Sequence, residues 1–179
     1  MASPLPSEAF ARYVRSVSTV HRALRAASYA LAALPIAFAS VDRRVRLTRW
    51  AFESTIEIRP SGPRARTHTV LAAVIGLLAW FVALPATVTT VRGFAYPLVT
   101  SGAYGDAWGG PTLAGAWAVH AAVGIALLPV WVALLAGIGT AQRHLTMRLL
   151  GRGGPWWPIP VAVLVGAVEA VYLLALAQE

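Results

Sequence analysis

The chain has 179 residues, of which 58% are hydrophobic and 12% are charged, and it carries a formal charge of +8 without a single cysteine. This hydrophobic share is well above that of soluble domains, and the lack of cysteine excludes disulfides and thiolate metal sites. The basic residues are all arginines that flank apolar segments, so they indicate anionic lipid headgroups and not a nucleic acid as their partner. We expect an all-α polytopic membrane protein.

The first predicted element is an amphipathic interfacial helix over residues 7–25. Apolar residues recur there at spacings of three and four, arginines occupy other positions, and Ser7 is a candidate N-cap. A basic helix with an apolar stripe is typical of a segment that lies on an anionic leaflet. A helix that docks on its own protein has the same pattern, so both interpretations stay open.

The next element, residues 26–41, is a hydrophobic segment of sixteen uncharged residues that contains Pro35. As a helix it would reach about 24 Å, which is less than the roughly 30 Å of a hydrocarbon core. We therefore expect a short or re-entrant segment that does not cross. Residues 42–68 follow with seven arginines against three carboxylates, and such a basic segment is predicted to lie on lipid headgroups before a turn at residues 60–63.

Three later segments are long and apolar enough to cross a bilayer as helices. The loop between the first two, residues 92–112, is rich in glycine and aromatic residues, which are typical of the membrane interface. A second basic loop, residues 139–157, precedes the last span. The predicted spans are residues 70–91, 113–138 and 159–177.

The arginines predict the orientation of these spans. Four precede residue 26, seven lie in residues 42–68, one lies in the aromatic loop and three lie between the last two spans. If residues 26–41 crossed the membrane, ten arginines would lie on one side of it and five on the other. If they do not cross, fourteen lie on one side and only Arg92 on the other. The positive-inside rule therefore favours three full crossings of the plasma membrane, with a cytoplasmic N-terminus and an outer aromatic loop.

Polar residues within the spans are candidates for contact with a ligand or an ion. Glu169 lies near the middle of the last span, where a carboxylate is costly, so it either contacts a proton, ion or headgroup or forms a hydrogen bond between helices. His120 lies about two turns into its span, with Trp117 one turn before it. A single histidine on an apolar helix is also compatible with a packing role.

Two further groups of residues are candidates for binding at the membrane surfaces. In the outer loop they are Tyr96, Tyr104, Asp106 and Trp108. In the basic segments, the candidates for contact with anionic lipid or with a partner protein are Arg43, Arg44, Arg46, Arg49, Arg143 and Arg148.

The candidates show no pattern of catalytic or cofactor-binding residues. Ser101, Asp106 and His120 are expected near the outer face, but no nucleophile elbow supports a hydrolytic triad. His68 is predicted on the opposite membrane face from His120, so the two imidazoles cannot hold a haem between them. Zinc motifs and carboxylate clusters for calcium are missing from the sequence. We expect a protein without a cofactor, a metal or an enzymatic activity.

Part of the chain has the residue order of a known membrane region. A span is followed by an aromatic outer loop with Tyr96 and Pro97, the sequence WGGP at residues 108–111, a second span, and a tail that ends in RHLTMRLLG at residues 143–151. Over residues 70–151 this order resembles the sensor domain of actinobacterial histidine kinases. The chain departs from that pattern in its short first hydrophobic segment, its extra final span and its lack of a kinase domain.

The resemblance implies a non-enzymatic sensory or regulatory module that signals through a separate partner. Two other functions stay open on the residues alone. One is an accessory subunit of a larger membrane transporter or respiratory complex. The other is a self-associating, homo-oligomeric channel or carrier that uses Glu169.

Overall fold

A computed structural model describes residues 8–58, 61–100, 104 and 106–178, and the regular structure in these residues is helical. This confirms the all-α class. Three helices, α3, α5 and α6, are long and apolar enough to cross a membrane, which is consistent with a multi-pass membrane protein. The helices are α1 (Glu8–Ala37), α2 (Val41–Phe52), α3 (Gly62–Phe94), α4 (Tyr96–Val99), α5 (Leu113–Leu149) and α6 (Pro158–Leu176).

Helix α1 contains most of two predicted elements, the amphipathic helix 7–25 and the hydrophobic segment 26–41. It runs without a break, because Pro35 falls in its last turn, where the chain leaves the helix. The candidate N-cap Ser7 lies outside the described residues. From Tyr13 to Arg22 the helix is exposed on all sides, whereas its second half is buried along a stripe of small residues, namely Ala26, Ala30, Ala33 and Ala37.

The basic segment 42–68 is more ordered than the sequence analysis predicts. Ser40 caps α2 by accepting a hydrogen bond from the backbone N–H of Arg43 (3.4 Å). The helix buries Val45, Thr48 and Ala51 on one side and exposes arginines on the other. It folds back along α1, so that this segment forms a helical hairpin with α1 before α3 begins at residue 62.

Helices α3 and α5 form the antiparallel centre of the bundle, and α1 packs across both. Two glycines permit this crossing. At Gly76 an added Cβ would lie 2.6 Å from the backbone nitrogen of Leu34, and at Gly139 it would overlap the carbonyl oxygen of Ala26. Gly76 and Gly139 therefore allow the backbone of α1 to touch α3 and α5 directly.

The second basic loop is shorter than predicted. Helix α5 continues through residues 139–149, because Leu145 and Leu149 extend its apolar face and pack against Leu71 and Ala37. Only residues 150–157 connect α5 with α6 outside a helix. Helix α6 then packs on α3 through Ala162 and leaves most of its apolar side chains exposed, as expected for a surface that faces lipid.

The two ends of the bundle differ in composition. We call the end formed by the C-terminus of α3, by α4 and by the N-terminus of α5 the aromatic end. The opposite end, formed by α2, the N-terminus of α3 and the C-terminus of α5, is the basic end.

The glycine contact between α1 and α5 can be tested with two alanine substitutions. Gly139→Ala should lower the free energy of unfolding by about 1–3 kcal/mol, because the new methyl group would overlap the Ala26 carbonyl. The matched control is Gly137→Ala on the same helix, where an added Cβ meets nothing within 4 Å. That change should be neutral or stabilise by up to about 1 kcal/mol. Unfolding in one detergent measures both, and equal effects would contradict the described crossing.

Candidate functional site

A cavity of about 500 Å³ lies at the aromatic end, between α3 and α5. Its volume is within the range of small-molecule sites. The lining combines polar and aromatic side chains with aliphatic ones. Its residues are Val88, Thr89, Arg92, Gly93, Tyr96, Trp108, Val119, His120, Val123, Gly124 and Leu127.

The geometry of the cavity begins with the close contact of α3 and α5. An added Cβ at Gly93 would lie 2.8 Å from the carbonyl oxygen of His120, so only glycine fits there. Helix α3 ends one residue later, and Trp117 Nε1 donates a hydrogen bond to the free carbonyl of Phe94 (3.0 Å). The chain then turns into α4, which places Tyr96 on His120 with ring centroids 4.2 Å apart and an angle of 21°.

The polar atoms of the cavity are only partly used by the protein itself. His120 Nδ1 donates to the carbonyl oxygen of Ala116 (2.8 Å), which leaves Nε2 for the cavity that the ring lines. Arg92 has no hydrogen-bond or ion-pair partner among the residues that the structure describes. Thr89 donates its hydroxyl proton to the carbonyl of Pro85 (2.7 Å), so its oxygen can still accept.

The structure brings together only part of the predicted outer site. Tyr96, Trp108 and His120 line the cavity. Trp117 does not line it, but its hydrogen bond to Phe94 holds the end of α3 against α5. Tyr104 instead stabilises its own loop, since its carbonyl accepts from the N–H of Ala107 (3.2 Å). Asp106 is exposed and does not line the cavity. Ser101 lies outside the described residues.

Arg92 is the charged residue of the cavity, and it is not among the site residues predicted from the sequence. The sequence pattern uses it for the orientation of the spans alone, as the single arginine assigned to the outer side. Its position as the one arginine beside the aromatic loop could have identified it, because a single charge at a membrane interface is a candidate for ligand contact.

Glu169 belongs to a different part of the bundle. It lies between α6 and α3, is 8% exposed, and packs in a groove with Leu78, Phe81 and Tyr172. Its Oε1 atom has no hydrogen-bond partner in the part of the chain that the structure describes. A hydrogen bond between helices is one of the two roles expected for Glu169, and Oε1 forms none with the described residues.

A buried polar network lies at the basic end and was not predicted. Its first member is Arg44, which the sequence analysis expects at the surface but which is only 7% exposed. Its Nε donates to the carbonyl of Ala39 (2.7 Å), and Nη1 lies 3.4 Å from the carbonyl of Ala65 and 3.3 Å from His68 Nδ1. Burial lowers the pKa of the Arg44 guanidinium below its ordinary value. Arg44 is therefore not available for contact with lipid or a partner.

The network has one possible direction of hydrogen bonding. Because a guanidinium only donates, His68 Nδ1 must accept, so the ring is neutral and carries its proton on Nε2. His68 Nε2 then donates to Thr146 Oγ1 (3.0 Å), and the Thr146 hydroxyl donates to the carbonyl of Gln142 (3.0 Å). The Arg44–His68 bond thus joins α2 to α3, and the His68–Thr146 bond joins α3 to α5.

A second pair of bonds ties α1 to this network. Thr48 Oγ1 donates to the carbonyl of Arg44 (2.8 Å), so the bond between Tyr29 and Thr48 (2.7 Å) has the Tyr29 hydroxyl as its donor. Tyr29 and Thr48 are both buried. Polar contacts among α1, α2, α3 and α5 thus converge on a single region.

The other predicted arginines divide into two groups. Arg49 donates to the carbonyl of Ile56, and Arg143 is half-buried with its guanidinium 5.6 Å from the ring centre of Phe52. Arg43, Arg46 and Arg148 have exposed side chains. The second group remains free to contact lipid headgroups or another protein.

The network predicts a difference between two threonines of α5. Thr146→Val keeps the side-chain shape but removes the acceptor of His68 Nε2, and a buried donor without a partner costs about 1–3 kcal/mol. Thr140→Val is the matched control, because Thr140 bonds only the carbonyl four residues earlier, that of Ala136. We expect thermal unfolding in detergent to show a clear loss for Thr146→Val and little change for Thr140→Val. Equal stability of the two variants would contradict the network.

Comparisons of the chain with protein-family models, with curated proteins and with solved structures found no match.

Proposed function

We propose that this chain is a non-enzymatic sensory or regulatory module of the plasma membrane. It receives its input at the cavity of the aromatic end and passes it to a separate protein at the basic end. The single observation that carries this proposal is the position of α3 and α5. Each of them lines the cavity at one end and contributes to the buried network at the other.

Two continuous helices, α3 with 33 residues and α5 with 37, form the physical connection between the cavity and the network. On α3, Arg92 and Gly93 line the cavity and His68 lies in the network; on α5 the corresponding residues are His120 and Thr146. The two helices contact each other directly at Gly93. A ligand that changes their spacing in the cavity would change the same pair of helices at the network, which is how packed helices transmit a shift.

The output surface consists of the exposed arginines. Arg43 and Arg46 lie on α2, which is held to α3 by the Arg44–His68 bond, and Arg148 lies at the end of α5. A movement at the network would therefore displace these three charges relative to one another. Exposed guanidinium groups suit an acidic partner protein or anionic headgroups.

We propose that the basic end faces the cytoplasm and that α1 does not cross the membrane. From Tyr13 to Arg22 the helix is exposed on all sides and carries both arginines and apolar residues, which favours a position on the anionic inner leaflet. Its second half is buried against α3 and α5 by small side chains. Three crossings then remain, and Arg92 is the one arginine outside.

The unpartnered Glu169 oxygen favours a second candidate function, a homo-oligomeric channel or carrier. The Oε1 atom of Glu169, which has no hydrogen-bond partner among the described residues, could accept a hydrogen bond from an identical neighbour. Exposed aliphatic residues on both sides of it, such as Val168 and Val171, would form the contact. A ring of identical chains in native mass spectrometry would favour this candidate, whereas stoichiometric foreign subunits would indicate an accessory subunit of a larger complex.

The proposed orientation predicts opposite labelling at the two ends. Because the chain has no cysteine, single cysteines can be placed at the exposed positions Gly62 and Asp106. A membrane-impermeant maleimide added to intact bacterial spheroplasts should label Asp106→Cys at once and Gly62→Cys only after permeabilisation. Labelling of Gly62→Cys in intact spheroplasts would reject this orientation.

The proposed transmission predicts a distant effect of filling the cavity. Val123→Trp places a large ring in the cavity between α3 and α5, and we expect hydrogen exchange in α2 and in residues 142–150 to change by several-fold, because a group that occupies the cavity alters the packing of these two helices. Val130→Trp on the same helix, 50% exposed against 46% for Val123 and outside the cavity, is the matched control and should leave both regions unchanged. The sensory proposal fails if the exchange at the basic end is the same in Val123→Trp as in the unmodified chain.

A further inference from the structure

We propose that the cavity of the aromatic end binds an amphipathic anion, a phosphate or carboxylate headgroup attached to a hydrocarbon chain. This deepens the proposed function, because it names the ligand class of the input site. The inference rests on where the charge, the other polar atoms and the apolar surface of the cavity lie relative to one another.

The charge of the cavity selects for an anion. Arg92 is the one arginine among the lining residues, which include no carboxylate. It has no partner in the described parts of the chain, although its backbone is fixed by the contact of Gly93 with α5. A guanidinium beside an apolar surface binds phosphate or carboxylate with two parallel hydrogen bonds.

The neighbouring polar groups complete a headgroup site. Tyr96 has a phenol that can donate to an anion, and its ring is held in place by the stack on His120. Nε2 of His120, an acceptor while Nδ1 donates to Ala116, can accept a hydrogen bond from the hydroxyl of a singly protonated phosphate. Trp108, 78% exposed, lies at the rim with its ring beside these groups, as is usual for tryptophan at the level of headgroups.

The apolar part of the cavity lies deeper in the bundle than Arg92. Val88 precedes Arg92 by four residues, and Leu127 follows His120 by seven, so the aliphatic surface extends about 6–10 Å from the charged end toward the middle of the helices. Val88 and Val123 are about half exposed, so the cavity is open on the side that faces the bilayer. A hydrocarbon chain can therefore enter from the lipid while its headgroup stays at Arg92.

Binding of dodecyl phosphate to the full chain in dodecyl maltoside tests this inference. Titration calorimetry, with empty micelles subtracted, should show dodecyl phosphate binding at least ten-fold more tightly than dodecanol, which lacks the charge, and than inorganic phosphate, which lacks the chain. Arg92→Gln should weaken binding of dodecyl phosphate by roughly ten- to a hundred-fold, the usual effect of losing a charged hydrogen bond. Arg66→Gln, at an exposed position at the other end of the same helix, is the matched control and should bind normally.

Two results would overturn the inference. One is equal affinity for dodecyl phosphate and dodecanol, or for dodecyl phosphate and inorganic phosphate. The other is normal binding by Arg92→Gln in a preparation with the helicity and melting temperature of the original chain. Val123→Trp provides an independent variant, because its ring fills the apolar part and should abolish binding without removing a charge.

A comparison of two nanodisc compositions identifies the source of the ligand. If phosphatidylglycerol nanodiscs weaken the apparent affinity for dodecyl phosphate at least ten-fold relative to phosphatidylcholine nanodiscs, a membrane phospholipid occupies the site. If the two compositions give the same affinity, the site takes a single-chain amphiphile. Dodecyl phosphate binding without any change in hydrogen exchange at the basic end would refute the sensory role but support the ligand class.

Discussion

The bond from the guanidinium of Arg44 to the neutral ring of His68 is the interaction on which the arrangement of the helices depends. Removing a positive charge from water is costly unless hydrogen bonds replace the lost solvent. Here two backbone carbonyls and one imidazole nitrogen replace it, and they come from the α1–α2 turn and from α3. The charge can therefore be buried only when these segments are assembled.

The remaining contacts of the bundle follow from the lack of a hydrophobic driving force between helices inside a membrane. Association there depends on close packing and on hydrogen bonds. The buried alanines of α1 and the glycines at residues 76 and 139 provide the close packing. Two hydrogen bonds provide the polar contacts between α3 and α5. His68 Nε2 donates to Thr146 Oγ1, and Gln142 Nε2 donates to the carbonyl of Ala72 (3.4 Å). The structure thus combines small residues along its length with a buried polar network at the basic end.

The sequence was sufficient to predict the helical class and the three long apolar helices, because a span has a strong hydropathy signal that does not depend on neighbours. It also selected Tyr96, Trp108 and His120 by composition. It could not place Arg44, because the partner His68 is 24 residues away and an arginine in a basic segment has the same pattern whether it is buried or exposed. Likewise the hydropathy of the last span located Glu169 but not the groove of α3 that it faces.

The position of Arg92 at the end of α3 also bears on how such a chain enters the membrane. In the proposed orientation, α3, α4 and α5 form one helical hairpin whose translocated part carries a single arginine. That hairpin can insert as a unit at little electrostatic cost. In the same proposed orientation, the α1–α2 hairpin would need no translocation and would dock afterwards from the cytoplasmic side, where Tyr29, Arg44 and Thr48 would join the bond between His68 and Thr146. Biogenesis would then follow two stages, with insertion first and polar docking second.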